Sequence, residues 1–288
     1  MKTYLFATDF SKHAHEALLY AIPFVKNMNG ELLLYHTYDF ANPYVEVPPY
    51  LLDKLTEDKE KAAIKELRSL QAYVAKIDPE LPCTYTTSLG PFVSNVIGYA
   101  KEEGIAAILM GTKGASGLKK IFVGSNTTDV LGNAQCPVIA IPEKTHFQGI
   151  KKIVYAADFR DENGFILRQL RDLAKKFDAE IEILYVVIEN ATLDMDVYDW
   201  YQVAVREILA DQRVSFKVAR EKDVRTGISK YLANHPADLL VMATHKMNWF
   251  KRLFKPSETK NQAYQIQAPM LVFHAGVEEK ALLSSYGS

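Results

Sequence analysis

The chain repeats itself, and this repeat constrains the fold more than any other feature of the sequence. The segment Leu5-Phe-Ala-Thr-Asp9-Phe10 aligns with Val154-Tyr-Ala-Ala-Asp158-Phe159, and a later stretch, which begins with Met110 on Met242, aligns without a gap. Solenoid repeats have periods of about 20–50 residues, whereas this repeat takes up half of the chain. The sequence therefore predicts two copies of a whole domain.

Length and composition agree with two domains. The chain has 288 residues, of which 48% are hydrophobic, and this supplies enough apolar side chains for two cores. We expect a first domain at residues 1–144 and a second at 151–276, with a joint near 145–151 and a C-terminal tail at 277–288.

Each half alternates short apolar strands with amphipathic helices, the order that predicts an α/β fold. In the first half we predict strands at 3–8, 31–37, 83–88, 105–110 and 137–141, and helices at 12–28, 51–77, 91–103 and 126–134. In the second half we predict strands at 152–157, 180–187, 213–219, 238–243 and 270–274, with a shorter second helix at 198–209. We therefore expect two tandem doubly wound domains, each a five-stranded parallel sheet flanked by helices.

The first half carries additional sequence between its second strand and its long helix. This piece includes Asp39 to Asp53, is rich in proline and tyrosine, and leaves from the carboxyl end of a strand. Ligands bind at that edge in doubly wound sheets, so the segment is either a cover over the ligand site or a surface loop stiffened by proline.

Charge and cysteine content exclude several classes of protein. Lysine and arginine number 34 against 35 acidic residues, and this balance gives no general attraction to nucleic acid or to an anionic membrane. The N-terminus lacks the pattern of a signal peptide or a membrane span, and Cys83 and Cys136 suggest neither a disulfide framework nor a thiolate metal site. We expect a cytoplasmic protein without nucleic-acid or membrane partners.

A glycine-rich stretch carries the strongest chemical signal. Gly111-Thr-Lys113-Gly114 follows an apolar strand, and Gly124-Ser125-Asn126-Thr127 precedes a predicted helix. Small residues let the backbone approach a phosphate, and the free N–H groups of a helix start bind anions. The spacing fits neither the Walker pattern nor the dinucleotide pattern. From local chemistry alone, the glycines bind phosphate or only form turns, with Ser125 or Asn126 as an ordinary N-cap.

Three segments resemble the universal stress protein family. Gly111-x2-Gly114-x9-Gly124-Ser125 resembles that family's ATP-binding motif, Tyr4-Leu-Phe-Ala-Thr-Asp9-Phe10-Ser11 its first strand and turn, and Gln135-Cys-Pro137-Val-Ile-Ala-Ile-Pro142 its last strand. The resemblance spans the chain as two tandem domains. It implies an adenine nucleotide alpha hydrolase-like fold with strand order 3-2-1-4-5.

The resemblance also implies which residues bind ATP. Asp9 is expected beside the adenosine, where its carboxylate accepts hydrogen bonds; the alternative is that Asp9 caps the first helix. The full set of implied site residues is Ala7, Asp9, Thr37, Met110, Gly111, Lys113, Gly114, Gly124, Ser125, Asn126 and Thr127. In the second half, Ala243, Lys246 and Pro256 replace the three glycines, so we expect no equivalent ATP site there.

Other candidate sites are weaker. His13 and His15 lie on different sides of a predicted helix, and His36 ends a strand without a metal-binding neighbour pattern. Asp194, Asp196 and Asp199 are interpreted as capping and solvating a helix. The basic segment from His245 to Lys255 is either a solvated loop or a binding surface for an anionic partner. No residue is predicted to be catalytic or to bind metal.

The leading hypothesis is a cytoplasmic universal stress protein with a regulatory role, whose first domain binds ATP, with or without Mg²⁺, or else ADP or AMP. The alternatives are an interaction scaffold or chaperone-like protein, and a weak ATPase that would need a water-positioning group. By resemblance, the last strands at 137–141 and 269–273 are expected to pair within the chain as a pseudo-dimer. A homodimer is a further expectation, because unpaired strand edges can bind a second copy.

Overall fold

A computed structural model describes residues 1–39, 49–112, 123–158, 164–244 and 268–274. The strands are β1 Thr3–Ala7, β2 Glu31–Tyr38, β3 Cys83–Leu89, β4 Ala107–Gly111, β5 Val138–Ile141, β6 Lys152–Ala156, β7 Glu180–Ile188, β8 Val214–Glu221, β9 Leu239–Thr244 and β10 Met270–His274. The helices are α1 Lys12–Asn27, α2 Pro49–Ile77, α3 Phe92–Glu102, α4 Ser125–Asn133, α5 Gly164–Phe177, α6 Met195–Leu209 and α7 Val224–Asn234. All ten predicted strands are confirmed, as are the five helices for which bounds were predicted.

One expectation about the first half is corrected. The additional sequence is not mainly a loop before the long helix, because α2 begins at Pro49 and has 29 residues, whereas α6 has 15. Proline suits the first turn of a helix, where its missing N–H costs no hydrogen bond. Residues 40–48, the remainder of the predicted cover or loop, lie outside the described part of the chain.

All the described strands form one ten-stranded sheet. Its order is β3-β2-β1-β4-β5-β10-β9-β6-β7-β8, so each half has the expected 3-2-1-4-5 arrangement of parallel strands. The halves meet where β5 and β10 pair antiparallel, with Ile139 opposite Leu271. This pairing confirms the expected pseudo-dimer of two domains within one chain.

Helices cover both faces of the sheet, and the central strands β1, β4, β5, β6, β9 and β10 are apolar on both sides for that reason. Tyr4 and Phe6 of β1 share a buried cluster with α1, α2, α5 and α6, while Leu5 and Ala7 share the other cluster with α3, α4 and α7. Each cluster continues across both halves, since the sheet does. Antiparallel pairing of β5 and β10 also places the carboxyl ends of the parallel strands of the two halves at opposite edges of the sheet.

An aromatic residue of the segment between the halves strengthens their junction. The ring centroid of Phe147 lies 5.3 Å from that of Tyr20 and 6.0 Å from that of Phe24, both on α1. It also lies 6.0 Å from the ring centroid of Phe177 on α5. These are favourable distances for aromatic pairs, so Phe147 joins a helix of the first half to a helix of the second.

Candidate functional site

The predicted site residues on the described strands of the first half lie at one edge of the sheet. Ala7, the last residue of β1, lies opposite Tyr35 of β2 and Met110 of β4. Gly111 follows Met110, and Thr37 lies near the end of β2. Because parallel strands end at the same edge, the fold brings the predicted strand residues together.

Two hydrogen bonds connect the end of β4 to the start of α4. The amide of Gly124 donates to the carbonyl of Thr112 over 2.7 Å, and the Thr127 hydroxyl donates to the carbonyl of Gly111 over 3.0 Å. Thr112 is itself held by β5, since its amide donates to the Ile141 carbonyl over 3.0 Å. The first turn of α4 is therefore held against the sheet edge. Lys113 and Gly114 fall within residues 113–122, outside the described residues.

The start of α4 presents backbone donors at this edge. Ser125 and Asn126 are exposed, whereas Thr127 is only 3% exposed. The first amides of an α-helix have no partner within the helix, and they carry the positive end of its dipole. The alternative that Ser125 or Asn126 is the N-cap is wrong, because Gly124 occupies that position.

Gly124 is not required by the packing of the described residues around it. Its φ of −59° is accessible to any residue. A Cβ built on it would lie 3.5 Å from the Thr112 carbonyl oxygen and 4.0 Å from Thr127 Oγ1, which are ordinary contacts. Among the described residues, Gly124 therefore has room for a small side chain beside the start of α4.

Asp9 follows β1 at the same edge. Its side chain is exposed, and Oδ1 accepts a hydrogen bond from the Ser11 amide over 3.0 Å. The cap of α1 is Ser11, whose hydroxyl accepts from the Ala14 amide over 3.1 Å. The alternative that Asp9 is the N-cap of α1 is therefore wrong.

Sequence reasoning missed the contacts by which His36 and Thr8 hold the turn after β1. His36 Nδ1 lies 2.8 Å from the carbonyl oxygen of Thr8, and the imidazole packs on the Phe10 ring with centroids 4.3 Å apart. The Thr8 hydroxyl in turn accepts from the Phe10 amide over 3.0 Å. Burial lowers the pKa of His36, while the Thr8 carbonyl and the charge of Asp9 oppose that shift. His36 therefore packs against the turn that carries Asp9, a placement its isolated position in the sequence did not indicate.

The remaining candidates have structural contacts. His13 Nδ1 lies 2.5 Å from a Glu143 carboxylate oxygen, and the His15 ring packs 4.5 Å from that of Tyr73. Asp194 caps α6, as interpreted from the sequence, by accepting from the amides of residues 196 and 197. The basic segment at 245–255 lies outside the described residues, and among those described no three metal-ligating side chains gather.

The described helices and the two cysteines limit which other kinds of site the chain can contain. None of the helices in the described ranges is long and apolar enough to cross a membrane. Cys83 and Cys136, the two cysteines of the chain, form no disulfide with each other. Burial raises the pKa of the Cys83 thiol to about 12, so this thiol stays protonated near neutral pH.

Known proteins match both the sequence and the fold. Universal stress protein YxiE of Bacillus subtilis is 27% identical over 144 residues, which are 48% of this chain and 96% of that protein. The crystal structure of a universal stress protein from Archaeoglobus fulgidus is 18% identical, with a TM-score of 0.66 over 95% of this chain and 98% of that one. Another universal stress protein, solved in complex with cAMP, is 17% identical and covers 49% of this chain and 96% of its own, with a TM-score of 0.38.

The sequence profile of the universal stress protein family matches the chain twice. The matches cover residues 1–142 and 149–274, and so include nearly all of both halves. The A. fulgidus structure, aligned over almost the whole of both chains, agrees in fold with this arrangement. The chain therefore belongs to the universal stress protein family, as two tandem domains.

Proposed function

We propose that this chain is a cytoplasmic, ATP-binding universal stress protein with a regulatory role, in which the first domain alone binds the nucleotide. The observation that carries the proposal is the start of α4, which two hydrogen bonds hold against the sheet edge and where Ser125 and Asn126 are exposed, next to a glycine that no described neighbour requires. The Ser125 and Asn126 amides and the Ser125 hydroxyl would bind phosphate oxygens there, because these donors face the anion with the positive end of the helix.

The strand ends would bind the rest of the nucleotide. Asp9 is exposed beside the last residues of β1, and a carboxylate accepts hydrogen bonds from a ribose hydroxyl or from the adenine amino group. Ala7, Thr37, Met110 and Gly111 would line the base, and Lys113 and Gly114 would add charge and space along the phosphates. ADP or AMP would occupy the same position with fewer phosphate contacts.

The replacement Gly124→Ala tests this site. The added methyl group makes only ordinary contacts with the described residues, so the variant is expected to fold, with a loss of stability of about 1 kcal/mol or less because alanine is a poorer N-cap than glycine. It would occupy the space assigned to phosphate, and ATP affinity measured by calorimetry is expected to fall at least about tenfold. The unaltered chain is expected to bind a single ATP.

A matched control is Gly98→Ala on α3, where nothing lies within 4 Å of the added Cβ. This variant is expected to bind ATP as the unaltered chain does. A flat ATP titration of the unaltered protein would refute ATP binding and favour an interaction scaffold. Equal ATP affinity in Gly124→Ala and the unaltered protein would refute this location of the site.

Association between chains has a physical basis in the two outer strands, β3 and β8. Each ends the sheet and is paired on one side only within the described residues. Unpaired backbone groups of such strands can bind the same strand of a second copy. Light scattering of the intact chain tests this homodimer, and a molecular mass of one chain at high concentration would exclude it.

A further inference from the structure

We infer that Thr127 is a positioning residue of the proposed nucleotide site rather than a ligand of the phosphates. This inference rests on the proposed function. Its basis is that the Thr127 side chain is buried, at 3% exposure, and that its hydroxyl donates to the Gly111 carbonyl over 3.0 Å. A hydroxyl has one proton to donate, so a hydroxyl engaged in this way has none for a phosphate oxygen.

The amide of Gly124 is engaged as well. It donates to the Thr112 carbonyl over 2.7 Å, and so it is not directed at a ligand. Ser125 and Asn126, the next two residues along the chain, are exposed at the start of α4. The family motif therefore contains two kinds of residue, those that face the ligand and those that hold the backbone in place.

The two bonds form a clamp, defined by Gly124 N to Thr112 O and Thr127 Oγ1 to Gly111 O. The clamp attaches the first turn of α4 to the end of β4, which β5 holds through the hydrogen bond from the Thr112 amide to the Ile141 carbonyl. A ligand then meets donors that are already in position, and preorganised donors bind more tightly because less ordering is needed on binding. The clamp uses a backbone carbonyl as acceptor, so it does not depend on glycine at position 111.

The second half keeps threonine at Thr259, the position equivalent to Thr127, although alanine replaces Gly111 and proline replaces Gly124. It also keeps serine at Ser257, the position equivalent to Ser125, so persistence alone does not separate ligands from positioning residues. Proline has no amide hydrogen, so of the two bonds of the clamp the second half could form only the one from the threonine hydroxyl. The division of roles therefore rests on the hydrogen bond from Thr127 to Gly111 and on the burial of Thr127.

The test compares Thr127→Val, which removes the hydroxyl, with Thr127→Ser, which retains it. Loss of one positioning hydrogen bond is expected to weaken ATP binding by Thr127→Val about three- to tenfold. Adenosine has no phosphates, so its affinity is expected to stay within about twofold of that of the unaltered chain. Thr127→Ser is expected to keep ATP affinity, and Thr128→Val serves as the control one residue further along α4.

Two results would overturn the inference: Thr127→Val binding ATP as tightly as the unaltered protein, or Thr127→Val and Thr127→Ser losing ATP and adenosine affinity equally. Amide hydrogen exchange gives a second, ligand-independent measurement. The amides of Gly124 and Thr128, which bond to Thr112 and Gly124 carbonyls, are expected to exchange several-fold faster in Thr127→Val and normally in Thr127→Ser.

This second measurement separates the two proposals. If the unaltered chain binds neither ATP nor adenosine, the proposed function fails, while faster exchange in Thr127→Val still supports the clamp. Unchanged exchange at both amides in Thr127→Val refutes the clamp whether or not ATP binds.

Discussion

The two domains keep the same sheet and differ at the residues around its strands. In sequence, the stretch from α3 to β5 aligns without a gap with the stretch from α7 to β10. The helices α3 and α7 each have 11 residues. At three equivalent positions the domains differ in chemistry. Pro142 corresponds to His274 at the end of the last strand, Asn95 to Gly227 in a helix, and Pro91 to Asp223 at that helix's start.

The shared fold and the proposed site depend on different parts of each domain. The strand order of both domains is 3-2-1-4-5, although α2 has 29 residues and α6 has 15. Most of residues 52–62 of α2 are exposed, so this part of the helix lies outside the core. Packing of the sheet therefore leaves helix starts, strand ends and connections free to diverge, and the proposed nucleotide site is built from those parts.

The largest expected difference between the domains depends on pH. Burial lowers the pKa of His274 to about 4 from an ordinary value of 6.5, whereas Pro142 in the first domain does not titrate. The unfolded chain therefore takes up a proton at His274 at higher pH than the folded chain does. The contribution is fully present above about pH 6.5, and up to about 3 kcal/mol is lost as the pH falls towards 4.

Urea unfolding at pH 7 and pH 4.5 tests this prediction. The variant His274→Gln is expected to lose less stability between these two pH values than the unaltered chain. His146→Gln, at an exposed residue of the segment between the domains, is the control and is expected to behave like the unaltered chain. An identical acid-induced loss in His274→Gln would contradict the assignment to His274.

An intermediate effect is expected at Gly227 of α7. A Cβ at this position would contact Val186 of β7, with Cγ2 only 2.9 Å away, and valine has a stiff side chain that cannot move aside easily. The first domain has Asn95 there, whose Nδ2 donates to the Leu89 carbonyl over 2.8 Å. Gly227→Ala is expected to lower the free energy of unfolding by about 1–3 kcal/mol.

The same replacement at Gly98 of α3 is a matched control, because the added methyl group meets nothing within 4 Å. Gly98→Ala is expected to raise the free energy of unfolding by about 0.5–1 kcal/mol, since alanine favours helix. Thermal unfolding measures both variants. Equal stability changes in the two would show that α7 does not pack closely on β7.

The sequence predicted the strands well because each is an apolar run between turn residues, and the repeat gave every strand a second example. It predicted the start of α2 less well, because Pro49 is compatible with both a loop and a first helical turn. The contact of His36 with Thr8 and the bond of Thr127 to Gly111 join residues that are distant in sequence. Such contacts depend on how neighbouring strands and helices pack, and no local pattern encodes that packing.

The smallest expected difference lies at the start of the equivalent helices α3 and α7. Asp223 caps α7, since its carboxylate accepts from the Thr226 amide over 2.8 Å and from the Thr226 hydroxyl over 2.9 Å. Pro91 caps α3 without a side-chain hydrogen bond. Asp223→Ala is expected to lower the free energy of unfolding by about 1 kcal/mol, and Asp223→Asn by less, because asparagine also caps helices. Chemical denaturation of both variants measures these free energies of unfolding. Equal losses in the two variants would show that Asp223 stabilises α7 through the effect of its charge on the helix dipole, and not through its hydrogen bond to the Thr226 amide.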